Sequence, residues 1–228
     1  MALAIAVVSG GLDSVTLAYW LRSQNYEIDL LAFDYGQRHR RELDFARVCA
    51  DELQARLDIV DISSLRPILG GSALTDDIAV PHGHYAAPSM AITIVPNRNA
   101  IFLTMAYGAA VARNAEAVAV GVHAGDHFIY PDCRAEFIDR FAAMQRAAIE
   151  GCGNPNLQLL APFVDKSKSD IVRLGAELGV PFAHTWSCYE GGEKHCGQCG
   201  TCVERREAFA LANVPDPTEY SIGFDRTL

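Results

Sequence analysis

Four cysteines stand together late in the sequence, Cys188, Cys196, Cys199 and Cys202, the last three at Cys-x-x-Cys-x-x-Cys spacing with glycines at 197 and 200. Tight Cys-x-x-Cys turns aim successive thiolates at one tetrahedral centre, and the glycines permit the strained backbone this needs. Four thiolates leave no open position, so the expected centre is a structural zinc ion that supplies folding free energy to a segment poor in apolar residues. An iron-sulfur cluster uses the same ligands and remains the main alternative, with a redox Cys-x-x-Cys pair the weaker one. His195 is expected behind the ligands or in solvent, since four cysteines already complete the set.

The second chemical feature opens the chain. Residues 7–20 read VVSGGLDSVTLAYW: an apolar run, a small-residue turn at Ser9-Gly10-Gly11-Leu12-Asp13-Ser14, then a helical period. Such a strand, turn and helix aim free backbone N–H groups and the positive end of the helix dipole at one point, where an anion binds favourably. The turn lacks the terminal Gly-Lys-Ser/Thr of the common nucleoside-triphosphate loop, and it does not fit the Gly-x-Gly-x-x-Gly dinucleotide fingerprint. What remains is a short cradle with hydroxyls at Ser9 and Ser14 and a carboxylate at Asp13. A carboxylate inside a phosphate site repels its ligand unless a divalent cation lies between them, so Asp13 points to magnesium. The competing reading is a tight turn capped by Asp13 or Ser14.

The elements that must position these residues follow from periodicity. Short apolar runs at Leu3–Val8, Ile28–Phe33, Leu57–Ile62, Ala117–Gly121 and Leu157–Ala161 read as strands. Between them, Ser14–Gln24, Arg40–Ala55, Asn99–Asn114, Arg134–Ile149 and Ser167–Leu178 carry apolar residues at three- and four-residue spacing, as helices packed on a sheet do. The expected fold is α/β, a doubly wound and mainly parallel sheet, with a small C-terminal zinc-binding module. We expect the nucleotide-binding α/β domain over residues 1–182 and the zinc-binding module, with a helix near Cys202–Ala212, over 183–228. Residues 63–98 break regular structure with four prolines and glycines at 70, 71 and 83, and such a long connection usually carries function or mobility.

Composition narrows the function class. With 228 residues, half of them hydrophobic, the chain can bury one core of ordinary size. The formal net charge is −9 and no run of lysines and arginines makes a cationic stripe, which speaks against a polynucleotide substrate. The apolar start Met1–Val8 breaks at Ser9-Gly10-Gly11, too short for a signal peptide or membrane span, and reads as the first strand of a cytoplasmic protein with no membrane partner. Seven cysteines without an export signal then fit metal ligation better than disulfides.

The turn in its strand-loop-helix setting resembles the PP-loop of the ATP pyrophosphatase superfamily, whose motif reads Ser-Gly-Gly-x-Asp-Ser. That resemblance implies an adenine nucleotide alpha hydrolase-like fold, ATP with its pyrophosphate in the loop, adenylation of an oxygen, and displacement of AMP by a nitrogen or sulfur nucleophile. It makes Val8-Ser9-Gly10-Gly11-Leu12-Asp13-Ser14-Val15-Thr16-Leu17-Ala18 the nucleotide-binding segment. Four further stretches, FDYGQRHRREL, VPNRNAIFL, GVHAGDHFIYPDCRAEF and HTWSCYEGG, together resemble the 7-cyano-7-deazaguanine synthase family over nearly the whole chain, although Ser64–Ser89 carries little that aligns. This second resemblance implies a homodimer that converts 7-carboxy-7-deazaguanine, ammonia and ATP into 7-cyano-7-deazaguanine through an adenylated carboxylate and an adenylated amide, in queuosine and deazapurine biosynthesis.

Roles can be placed residue by residue. Ligands in open α/β sheets lie at the carboxyl ends of strands, so Asp34-Tyr35 and Gly121–His123 should flank the adenosine or the substrate. Arg98, between Asn97 and Asn99 at a helix start, could neutralise the substrate carboxylate or charge on the adenylate; the alternative is a capping Asn97 beside a surface arginine. Among His123, Asp126 and Asp132, Asp132 is the first choice for reading the guanine-like edge of the base, with capping of the following helix as its alternative. Lys166 and Lys168 precede a helix and could reach the ATP phosphates, as lysines in this region of related enzymes do, and Lys166 is taken as the catalytic candidate. Cys49 falls on an apolar helical face and is expected in the core. Cys133 and Cys152 are lone thiols that matter for one rival function, tRNA thiolation by a PP-loop ligase with catalytic cysteines. A non-catalytic, nucleotide-sensing zinc module is the other rival.

Overall fold

A computed structural model describes residues 1–222 of the chain, so residues 223–228 of the expected C-terminal module lie outside the described residues. Five strands form one sheet: β1 (Leu3–Val7), β2 (Glu27–Asp34), β3 (Arg56–Asp61), β4 (Ala117–Ala119) and β5 (Gln158–Leu160). Their order is β3-β2-β1-β4-β5 and every pair is parallel. The chain winds outward from β1 to β3, crosses back to β4, and winds the other way. The reversal therefore lies between β1 and β4, where the carboxyl ends of the strands open a crevice for ligands.

Six helices cover the two faces: α1 (Leu12–Ser23), α2 (Glu42–Leu53), α3 (Arg98–Ala112), α4 (Ala135–Ala148), α5 (Lys168–Glu177) and α6 (Gly200–Ala212). Side chains alternate across a strand, and β1 sorts its residues accordingly. Ala4 and Ala6 pack with Leu17, Ala46, Ile171 and Phe209 on the face under α1, α2, α5 and α6. Ile5 packs with Leu103, Tyr107 and Phe141 on the face under α3 and α4. Cys49 is buried in the first of these layers, as expected for a core thiol.

All five expected strands and all six expected helices are present, with ends displaced by a few residues. β4 and β5 are three residues each rather than the five expected, because beyond Ala119 the chain leaves the ladder to build the crevice; Val120 N–H still donates to Leu160 O at 3.0 Å. The irregular stretch 63–98 holds two short 3-10 turns, Ser63–Ile68 and Pro88–Thr93. Its middle lies against the cysteine segment: Gly83 N–H donates to Gln198 O at 3.0 Å, and Val80 packs with Trp186, Cys188 and Cys199.

Helix α6 joins the C-terminal segment to the main body. Its Ala208, Phe209 and Ala212 enter the core beside α1 and α5. Arg205 is fully buried and donates to Thr185 Oγ1 (2.8 Å), Phe182 O (2.9 Å), Ser187 Oγ (3.2 Å) and Asp216 Oδ1 (3.3 Å). A buried guanidinium needs such a full set of acceptors, because each one left unmade costs desolvation without return.

Candidate active site

A cavity of about 1120 Å³, counting its open mouth, occupies the crevice. It is lined by the ends of β1, β2 and β4 and by the first turns of α1, α2, α3, α5 and α6. Five helices thus turn their N-terminal ends toward one space, a favourable setting for anions.

The Ser-Gly-Gly turn forms one wall. Gly10 has φ +86°, and a Cβ there would stand 2.2 Å from Glu42 O and 2.6 Å from Ala46 N, so only glycine lets the loop pass under α2. Ser14 Oγ donates to Gly11 O (3.0 Å) and accepts from Ser9 N–H (3.2 Å), while Ser9 Oγ accepts from Gly11 N–H (3.2 Å). The two serines close the loop on itself, and no side chain caps the first turn of α1. Its leading N–H groups stay available to a ligand. Val8, Ser9, Gly11, Leu12, Asp13 and Ser14 line the cavity, whereas Val15, Thr16, Leu17 and Ala18 are buried within α1.

Asp13 does not serve as a cap. Its Oδ2 takes a 2.7 Å ion pair from Lys168 Nζ at the start of α5, and its Oδ1 is buried with no hydrogen-bond partner among the described residues. Lys168 also reaches Glu204 Oε2 of α6 at 3.3 Å. His123 is buried beside them, its Nδ1 accepting from Gly125 N–H at 3.1 Å and its Nε2 3.4 Å from Asp126 Oδ2. Burial raises the Asp13 carboxyl, but Lys168 and His123 outweigh it and hold it below its usual value. Burial likewise opposes the Lys168 ammonium, and Asp13 and Glu204 more than offset that. One carboxylate oxygen without a partner, next to a His123-Asp126-Glu204 group whose ligand atoms lie within 4.8 Å of one another, is a donor set suited to a hard divalent cation.

The opposite wall is aromatic and carries Arg98. The guanidinium donates to the Tyr35 hydroxyl at 3.3 Å, sits 5.9 Å from that ring centroid, and has no carboxylate within 4.0 Å among the described residues. Phe33 and Phe102 stack at 4.2 Å nearby, and Tyr189 closes the wall. Glu42 and His39, on the FDYGQRHRREL stretch, line the same side. Sequence reasoning attached no role to either, because their burial arises only when α2 docks over the loop.

The remaining expected residues fall as follows. Asp132 is not among the lining residues; its Oδ2 accepts the Asn99 N–H at 3.0 Å, capping α3 rather than the helix that follows it, and Asn99 Nδ2 donates to Asp132 O at 3.3 Å. Lys166 is exposed, and Lys168, two residues on, is the lysine that lines the cavity. Of the expected strand ends, Tyr35, Gly121 and Val122 line it, whereas Asp34 turns to Arg40 on the surface. Cys133 lines it too, but burial pushes its thiol well above the ordinary range, opposite to an activated nucleophile.

The four cysteines converge below this site. Their Sγ atoms lie within 4.8 Å of one another. Backbone N–H groups of Cys196, Gln198 and Cys199 donate to Cys188 or Cys196 sulfur at 3.3–3.4 Å, an arrangement that favours thiolates. Gly197 makes the turn at φ +82°. Cys199 is pushed down by hydrogen bonds from its Cys188 and Cys202 neighbours, while Cys188 and Cys199 push Cys202 up. A divalent metal fits such a set. His195 stands apart, buried against Trp186 with Nε2 accepting the Ser187 N–H at 3.0 Å.

Comparison with known proteins adds the family. The sequence model of the family described as "Queuosine biosynthesis protein QueC" matches residues 3–213. The 7-cyano-7-deazaguanine synthase of Brucella anthropi is 60% identical over 216 residues, covering 95% of this chain and 92% of that protein. Among solved structures, the NMN synthetase from Francisella tularensis superposes with a TM-score of 0.53 at 17% identity, covering 94% of this chain and 78% of its own. A 4-thiouridine synthetase in complex with RNA and ATP does so with a TM-score of 0.52 at 16% identity, covering 93% and 50%. Both likenesses are of fold.

Proposed function

The chain belongs to the family of the queuosine biosynthesis protein QueC, and from that premise we propose that it converts 7-carboxy-7-deazaguanine, ammonia and ATP into 7-cyano-7-deazaguanine. The observation that carries this reading is the division of one cavity between an uncapped phosphate cradle and, opposite it, an arginine without a carboxylate partner. ATP places its phosphates on the Ser9–Ser14 turn and Lys168. Arg98 takes the carboxylate of the second substrate against the Tyr35-Phe102 wall.

The chemistry follows from poor leaving groups. A carboxylate oxygen does not leave unaided, so its attack on the α-phosphorus of ATP expels pyrophosphate and gives an acyl adenylate. Ammonia then forms the C–N bond while AMP departs with the C–O electron pair. The amide oxygen repeats the attack on a second ATP, and loss of AMP with the remaining N–H protons leaves the nitrile. Developing charge at the carboxyl oxygen is met by Arg98 and at the phosphates by Lys168 and the helix ends. Magnesium bound with ATP would supply charge neutralisation at the phosphates, with Asp13, His123, Asp126 and Glu204 as the residues able to hold it.

Zinc in the Cys188-Cys196-Cys199-Cys202 set would fix the turn that launches α6 and hence Glu204. We assign Lys166 an outer role at the mouth, and Asp132 that of fixing the start of α3. The raised Cys133 thiol supports a nitrogen rather than a sulfur nucleophile. Among the described residues no helix is long and apolar enough to cross a membrane. A cytoplasmic homodimer with no nucleic-acid partner completes the reading.

The test is direct. Incubation with ATP, magnesium, ammonium and 7-carboxy-7-deazaguanine should yield the nitrile and AMP by mass spectrometry. Metal-loaded, folded protein that forms no nitrile would refute the function.

A further inference from the structure

Conversion of ammonia to a nitrile strips all three hydrogens from one nitrogen, beside the carboxyl carbon that Arg98 holds. The nitrogen loses one proton as the C–N bond forms and AMP leaves the acyl adenylate. It loses two more as the C≡N bond forms and AMP leaves the adenylated amide. Each loss needs an acceptor near that nitrogen, because ammonium or an iminium left in place reverses the step.

Four carboxylates line the cavity: Asp13, Glu42, Asp126 and Glu204. Asp13 and Glu204 are committed to Lys168, and Asp126 faces His123. Glu42 alone stands on the aromatic wall with no lysine or arginine within 4.0 Å among the described residues. We propose that Glu42 is the catalytic residue that accepts the protons released from the substrate nitrogen, with Gln37 and His39 as the residues that position it. This rests on the synthase reading of the same site.

The positioning is built from both ends. Gln37 Nε2 donates to Glu42 Oε1 at 3.0 Å and to Phe33 O at 3.1 Å, while Gln37 Oε1 accepts the Tyr35 N–H at 2.9 Å, so the amide cannot rotate away. His39 Nε2 lies 3.5 Å from the same Oε1. Among the described residues no hydrogen bond to Oε2 is found, and Glu42 lines the cavity. One oxygen is held and the other is offered. The pair is poised for proton transfer: burial lifts the Glu42 carboxyl to about 7, against the opposing pull of Gln37 and Arg98. Burial drops His39 to about 3, so the imidazole stays neutral and presents no competing cation. The other groups facing Glu42 are Arg98 of α3 and the Tyr35 phenol at the end of β2, itself raised to about 12 and so neutral.

Glu42→Gln tests this, because it keeps the Gln37 contact and removes the acceptor. Two readouts separate the steps: substrate-dependent exchange of pyrophosphate into ATP without ammonia reports adenylation, and nitrile formation reports the whole sequence. E42Q should exchange within about threefold of the wild type while nitrile formation falls about 100-fold or more and the acidic limb of kcat near pH 7 disappears. Nitrile formation within about threefold of wild type, or equal loss of exchange and nitrile, would overturn the assignment. Should E42Q fail to fold, Glu42→Asp replaces it: exchange retained with nitrile slowed about tenfold supports the role, and unaltered nitrile formation overturns it. A wild type that forms no nitrile defeats the synthase reading and this one with it; a normal wild type beside an unaffected variant defeats this one alone.

Discussion

Lys168 Nζ donates to Asp13 Oδ2 at 2.7 Å across 155 residues of sequence, tying the start of α5 to the turn that opens the chain. The contact offsets the charge of Asp13 beside the Ser-Gly-Gly turn, which we take as the phosphate cradle. Without Lys168, Asp13 and Glu204 would face an incoming polyphosphate with two uncompensated carboxylates. A charge-assisted contact of this kind contributes about 1.5–3 kcal/mol, so Lys168→Ala should raise the KM for ATP roughly 10- to 100-fold. Lys166→Ala should raise it less than Lys168→Ala does. Steady-state titration of ATP on the two variants decides between them, and an equal or larger loss at Lys166 would reverse the assignment.

Asp132 yields a different expectation. Its carboxylate accepts the Asn99 N–H at the first turn of α3, and Arg98 is the residue that begins that helix. Replacing a capping carboxylate by alanine costs about 1 kcal/mol, equivalent to about 2–4 °C in Tm for a chain of this size. Asp132→Ala should therefore melt a few degrees lower, with the KM for 7-carboxy-7-deazaguanine changed less than about threefold. A rise of tenfold or more in that KM would restore a base-reading role.

These cases show which parts of the site were legible in the sequence. The Ser-Gly-Gly turn between strand and helix and the convergence of the four cysteines were, because their geometry is local: a small-residue turn in one and three thiols at fixed spacing in the other need no distant partner. The parallel sheet was legible because buried strands and amphipathic helices alternate along the chain. Lys168 against Lys166 was not, since two lysines flank the Ser167 cap and only the angle of α5 on the sheet selects the one that points inward. Asp132 caps a helix 33 residues earlier in the chain, which no local pattern encodes. Glu42 and His39 lie in the FDYGQRHRREL stretch, which carried the resemblance without assigning either a role, and they become buried only because Gly10 lets α2 approach the loop.

The cysteine centre should be felt in the ATP site. Cys199 precedes α6 and Cys202 lies in its first turn, two residues before Glu204, which meets Lys168 at 3.3 Å. A metal held there would fix the turn, so its removal should loosen the hold of α6 on Lys168. Elemental analysis should find one zinc per chain and no iron, and the protein should lack the visible absorption of an iron-sulfur cluster. Cys199→Ser should lower metal content and Tm together and weaken ATP binding in a calorimetric titration. Full ATP affinity in a metal-free, folded variant would show the two sites to be independent.

The last expectation concerns what an acid held in a dry wall costs the fold. The Glu42 carboxyl stands at about 7 in the folded chain against 4.5 for the ordinary group. Between those values the folded chain holds a proton that the unfolded chain has released, so the contribution of Glu42 to wild-type stability is fullest below about pH 4.5 and falls as pH rises to 7. Above that window the deficit is complete, about 3 kcal/mol from a displacement of this size. E42Q carries no such charge, and its stability relative to wild type should grow from pH 5 to pH 8. Urea unfolding of both proteins at the two pH values measures this directly. A wild-type-to-variant difference that stays constant would mean that Glu42 ionises as an ordinary carboxylate. A widening one would show the carboxyl kept near neutrality at the expense of stability, the trade expected where a reactive group is held in place for chemistry.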